Sequence, residues 1–181
     1  MDAIQAMLTR KSVRKFTQDP VKEEDLRTIL DCGRMAPSGV NRQAWRFIVL
    51  RAQEMKEKVA AVCDYGHFID QAPVVIAVAS EDAKIACPNE DTAAATENML
   101  LAAHALGYGG CWIGANGYAP LRTDPDDRRN IPYNTSIRVG EVLGLPEGWR
   151  IMSVFCIGVP AEDPVPRRKK TLEDIVSYDG F

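Results

Sequence analysis

Apolar residues fall at two different spacings along this 181-residue chain, and the change from one to the other marks out most of its elements. Ile4, Met7 and Leu8 lie three and four apart on one helical face behind Asp2, a residue suited to cap the first turn. That helix should stop before Arg10. After Pro20, the residues Leu26, Ile29, Leu30 and Gly33 repeat the helical spacing, and Pro37 marks the end because a residue before proline avoids the helical region. Residues 45–50 read as a strand, and residues 74–79 are nearly all apolar, the mark of a strand buried on both faces. Met55, Val59 and Val62 predict a helix between the two. The longest helix covers residues 92–106, is apolar all round in its second half, and meets Gly107 where a left-handed C-cap is required. It belongs in the middle of the protein, and His104 within it reads as a satisfied core histidine. Residues 110–113 and 152–159 complete the strands, with a short helix over 136–143 ahead of Pro146. Residues 116–134 carry no such pattern; as a loop they would carry the choice of substrate.

Periodicity alone leaves the class open between α+β and α/β. The chain shows no repeat and no linker-like shift in composition, so residues 1–181 are expected to form one domain. Residues 160–181 turn polar and basic and then end in Ile175, Val176, Tyr178 and Phe181, a tail expected to bury against some surface. With 46% hydrophobic and 26% charged residues the composition is that of an ordinary soluble protein. A net charge of −3 points away from nucleic acid, and the local basic clusters then suit a small anion. The five cysteines are odd in number and contain no Cys-x-x-Cys pair, which argues against a metal site and for buried reduced thiols. No apolar run approaches the ~20 residues a membrane span needs, and residues 1–10 lack the features of a secretory signal. A cytoplasmic location is expected.

The chemistry concentrates in short segments. Arg10, Ser12 and Arg14 put two guanidiniums and a hydroxyl within five residues, and in an extended segment all three point to one side while Lys11 and Val13 face away. Forked N–H donors and a hydroxyl suit a phosphate. Arg167, Arg168, Lys169 and Lys170 offer a second set of cations, of which the alternating pair Arg167 and Lys169 is the choice. Pro37, Ser38, Gly39 and Asn41 form a turn in which Gly39 permits close backbone approach and Asn41 can both donate and accept. Gln43 follows as a weaker candidate. A dinucleotide fingerprint fails because Trp112 stands where the third glycine should be. A hydrolytic triad has little support, since His67 and His104 are the only histidines and Ser38 lacks a glycine-flanked elbow.

These segments, in this order, together with Asn98 to Ala103, Leu106-Gly107 and Gly110-Cys111-Trp112-Ile113-Gly114, resemble the nitroreductase family of flavin-dependent oxidoreductases over nearly the whole chain. The resemblance implies an α+β nitroreductase-like fold, a central mixed sheet flanked by helices in an intertwined homodimer, with the 160–181 tail packing on the partner. It implies FMN at the dimer interface: its phosphate on Arg10, Ser12, Arg14, Arg167 and Lys169, its ring and ribityl met by Pro37, Ser38, Gly39 and Asn41 of the other subunit, and backbone groups of Ile113 and Gly114 along the ring near N5. His67 would lie near the flavin edge. Ala44 stands where the family commonly has proline, a departure touching turn rigidity. The activity implied is transfer of hydride from NADPH or NADH to flavin N5 and of electrons on to an acceptor such as a nitroaromatic or quinone. No catalytic side chain is required, because positioning and flavin electronics do the chemistry. The alternatives are another reduction or dehydrogenation at the same flavin, such as dehalogenation or enoyl reduction, and a flavin-binding protein without turnover.

Overall fold

The computed structural model describes residues 1–81, 87–115 and 135–181. Helix α1 (Ala3–Thr9) opens as its sequence dictates, with the Asp2 carboxylate accepting a hydrogen bond from the Gln5 N–H at 2.8 Å. There follow α2 (Glu23–Arg34), β1 (Trp45–Leu50), α3 (Gln53–Val62), β2 (Val74–Glu81), α4 (Pro88–Ala105), β3 (Gly109–Gly114), α5 (Thr135–Leu143) and β4 (Trp149–Gly158). Gly107 takes φ +92° just past α4, the left-handed turn its position calls for. The 116–134 segment lies outside the described residues.

The strands form one sheet in the order β1-β2-β4-β3. The expectation of a mixed sheet needs correcting at this level, since every pairing between the four strands is antiparallel. Strands β2 and β3 do run the same way, as a connection through α4 demands, but β4 lies between them. Among the described residues the parallel component reduces to a single bridge from Ser12 to Gly110.

Period-two alternation along β2 explains its unbroken apolar run. Val75, Ala77 and Ala79 enter one core with Val59, Ile69, Val139 and Val154, on the side of α3 and α5. Val74, Ile76 and Val78 enter a second with Leu26, Ile29, Met99 and Phe155, on the side of α2 and α4. Fully burying side chains of this size stabilises by roughly 1.5–3 kcal/mol each, so a sheet covered on both faces is the rigid centre from which the outer segments hang.

Two expectations about the helices change. Helix α4 is not buried all round: Met99, Leu100 and Ala103 reach the core, whereas Leu101, Ala102 and His104 are half-buried and Ala105 is exposed. His104 is accordingly no core residue; it lies between α1 and α4, with Nε2 at 2.8 Å from Thr9 Oγ1. The Thr9 hydroxyl also lies 2.6 Å from the Gln5 carbonyl, to which it can donate. The predicted face of α1 exists, but Ile4, Met7 and Leu8 point outward and only Ala6 is buried.

Candidate functional site

The 10–14 segment lies along the outer side of β3. Val13 donates from its N–H to the Gly110 carbonyl at 2.9 Å and buries its side chain against Gly109. A Cβ at position 109 would stand 2.5 Å from Val13 Cγ2, so glycine there is what lets the segment lie flat on the strand. With Val13 turned inward, Arg10, Ser12 and Arg14 fall on the side of Cys111. Burial pushes the Cys111 thiol up, and the Arg14 charge, a hydrogen bond with Ser12 and the Arg10 charge draw it back down. The three residues chosen for their alternation thus all act on one thiol.

Beside them opens a cleft of about 550 Å³, lined by Arg10, Lys11, Ser12, Arg14 and Lys15 and, from the tail, by Arg167 and Lys169. Arg168 and Lys170 are not among its lining residues, whereas the run from Pro164 to Arg167 is. Glu162 enters the cleft too, paired with Lys15 at 2.9 Å. Arg10 Nε lies 3.4 Å from Glu97 Oε1 yet is buried without a hydrogen-bond partner. Arg14 holds its guanidinium 5.9 Å from the Phe68 ring centroid, a cation–π contact that orients the fork. The outcome is a strongly cationic concavity, with the Arg10 Nε itself buried toward Glu97.

The 37–43 segment lies elsewhere and does not line that cleft. Pro37, Gly39, Val40, Asn41, Arg42 and Gln43 are exposed. Val40, Asn41 and Gln43 have φ of +47°, +58° and +51°, left-handed conformations that are uncommon for residues other than glycine and strained for a β-branched one. Bonds within the segment hold it: Ser38 Oγ accepts from the Gln43 N–H at 3.0 Å, and Gln43 Nε2 donates to Asn41 Oδ1 at 3.1 Å. Gly39 donates its N–H to Asp91 Oδ1 at 3.0 Å, joining the segment to the first turn of α4.

The third group is at the end of β3. Ile113 is buried in the core, while Gly114 is open, with no atom of the described residues within 4 Å of a Cβ placed there. Gly114 and the half-exposed Trp112 border a pocket of about 310 Å³ with Met152, Ser153, Asn89 and Thr92. Within one chain, then, the phosphate candidates converge, and Pro37 to Asn41 and Ile113 with Gly114 stand apart from them. His67 is exposed, next to the Phe68 that carries Arg14. All five cysteines are free; burial raises Cys63 to about 12 and also raises Cys156, which makes both inert thiols. No group of metal-ligating side chains occurs among the described residues.

Sequence reasoning passed over Lys11, Phe68 and Asp91. Lys11 lines the cleft with its neighbours on both sides. Phe68 and Asp91 gave no signal, one being an aromatic near a turn and the other an acid in a helical first turn.

Residues 7–64 and 60–159 match the nitroreductase family, and the chain belongs to it. It is 36% identical, over 92% of its length and 82% of the relative's, to a Methanothermobacter thermautotrophicus protein provisionally named NADH dehydrogenase/NAD(P)H nitroreductase. It is 30% identical to the NADH dehydrogenase of Thermus thermophilus, covering 98% of this chain and 96% of that one. The solved FMN-dependent nitroreductase of Clostridium difficile superimposes with a TM-score of 0.83 at 26% identity, over 98% of this chain and 99% of that one. The α+β nitroreductase fold expected from the sequence is therefore the fold found. No helix among the described residues is long and apolar enough to cross a membrane.

Proposed function

We propose that this chain is an FMN-dependent NAD(P)H oxidoreductase that acts as a homodimer and delivers electrons to an electron-poor acceptor such as a nitroaromatic or quinone. The observation that carries this reading is the cleft that Arg10, Ser12, Arg14, Arg167 and Lys169 line together. A phosphate monoester fits that donor set in charge and in number of acceptors. When bound, FMN supplies the hydride and electron transfer. Arg10, Ser12, Arg14, Arg167 and Lys169 would hold the phosphate, and backbone groups at Ile113 and Gly114 would meet the ring, where the missing Cβ of Gly114 leaves the strand open.

The homodimer accounts for what one chain leaves exposed. Pro37, Ser38, Gly39 and Asn41 project outward in a strained turn and would reach the flavin of the other subunit. The tail exposes Leu172, Ile175, Tyr178 and Phe181, and α1 exposes Ile4, Met7 and Leu8, apolar surface that a second copy would cover. The division of the chain into one body and a 160–181 tail belongs to the same reading.

The test is the absorbance spectrum of the purified protein, with the released chromophore identified by mass. FMN near one per chain, bleached by NADPH or NADH and reoxidised by a nitro compound, is the expected result. A colourless protein that takes up no added FMN would overturn the reading, and bound FMN that neither nucleotide reduces would leave a flavin-binding protein without turnover.

A further inference from the structure

We infer that Asp91 is a positioning residue that sets the 37–43 segment in its flavin-facing conformation, an inference that rests on the function proposed above. Asp91 is 7% exposed, yet one of its oxygens, Oδ2, has no hydrogen-bond partner among the described residues. The other accepts from the Gly39 N–H at 3.0 Å. Burying a carboxylate with half its acceptor capacity unused is costly, and stability offers no return for it. Gly39 is exposed, so its N–H would find water if Asp91 were absent. Complementing the positive end of α4 does not explain the burial either, because Glu90 stands exposed in the same first turn and does this without desolvation.

What the bond does achieve is local. Gly39 immediately precedes Val40 and Asn41, both left-handed, and Gln43 follows with a third positive φ. Such a run of strained residues persists only where its surroundings over-determine it. The Ser38 to Gln43 and Gln43 to Asn41 bonds fix the shape of the segment, but they move with it. Asp91 supplies an anchor on a long, core-packed helix, whose Ala95, Met99 and Leu100 are buried, and so fixes where the turn stands relative to the sheet.

The test uses the full-length protein with Asp91→Ala, Asp91→Asn and Gly39→Pro. Asparagine keeps an oxygen to accept the Gly39 N–H; proline removes that N–H from the other side and leaves the helix intact. Two readouts are taken: FMN affinity by fluorescence quenching, and the rate of tryptic cleavage after Arg42 in the flavin-free protein. Asp91→Ala and Gly39→Pro are expected to weaken FMN binding about tenfold and to speed cleavage after Arg42, with the melting temperature of the flavin-free protein close to wild type. Asp91→Asn should restore both readouts to near wild type. Wild-type affinity and cleavage in Asp91→Ala would overturn the inference. So would a loss in Asp91→Asn equal to that in Asp91→Ala, or a collapse of the melting temperature in both single-partner variants, which marks a structural role. If the wild type itself takes up no FMN, the proposed function fails, and the cleavage rate still decides whether Asp91 holds the segment.

Discussion

The 10–14 and 37–43 segments both follow a helix, and they are built in opposite ways. The first is docked: Val13 is inserted against Gly109, its backbone is bonded to β3, and its cations look into a cleft that the same chain closes with Arg167 and Lys169. The second is exposed, strained at three residues and joined to the body through the Asp91 carboxylate. A docked segment can hold a charged group by itself, whereas an outward, strained one gains its purpose from something laid against it. On the proposed function, each chain would complete the phosphate end of a site and lend the ring end to its partner.

Removing residues 161–181 strikes the comparison hardest. It takes two cations out of the cleft and strips away the exposed Leu172, Ile175, Tyr178 and Phe181. With each charge-assisted bond contributing about 1.5–3 kcal/mol, FMN affinity should fall about a hundredfold or more, and sedimentation should show weakened self-association. A shortened chain that remains as dimeric as the full one would mean that the tail plays no part in joining the copies. Arg14→Ala comes next. It should weaken FMN binding about tenfold to a hundredfold while leaving the dimer intact, because it removes a proposed phosphate donor and nothing from the 37–43 side. Unchanged affinity would separate the cleft from the cofactor. Gly109→Ala then tests the docking itself: a methyl 2.5 Å from Val13 Cγ2 must displace the segment, at about 1–3 kcal/mol of stability by thermal melting, with a parallel loss of FMN. Loss of stability with full affinity would show that the cations do not depend on the strand for their place.

The docked segment was far more legible in the sequence than the strained one. Asp2, the spacing of Leu26, Ile29 and Gly33, and the apolar run of β2 act through local geometry, so these elements and the β2 core follow from them, whereas α4 and β4 begin four and three residues earlier than their apolar patterns do. Arg10, Ser12, Arg14, Arg167 and Lys169 line one cleft, but Lys11 and Lys15 line it too, so alternation alone does not select them. The 37–43 turn resists such reading because its left-handed residues are Val40, Asn41 and Gln43, and a β-branched residue is the last that propensity would place there. Gly39, which looked like the special position, has room for a side chain, its Cβ meeting only Asp91 Oδ2 at 3.9 Å; its backbone donor is what the structure uses. The outward turn of Ile4, Met7 and Leu8 was equally hidden, since an apolar face has the same spacing whether it meets its own core or another chain.

The smallest effect concerns His104, behind the cationic cleft. Burial lowers its pKa first, and the Arg10 and Lys11 charges lower it further. A histidine held below its ordinary 6.5 favours folding in its neutral form. Its contribution is therefore fully present above that value and is lost as pH falls through the lower folded pKa, because the unfolded chain binds the proton more readily. His104→Gln should flatten this part of the pH–stability curve. The same group also reports on the comparison. A phosphate dianion bound by Arg10 would offset part of the charge that opposes protonation, so FMN should raise the His104 pKa, measured from its ring proton shifts by NMR. A His104 titration that FMN leaves unmoved would place the phosphate away from Arg10, and the two segments would then have to be assigned to the two ends of the flavin the other way round.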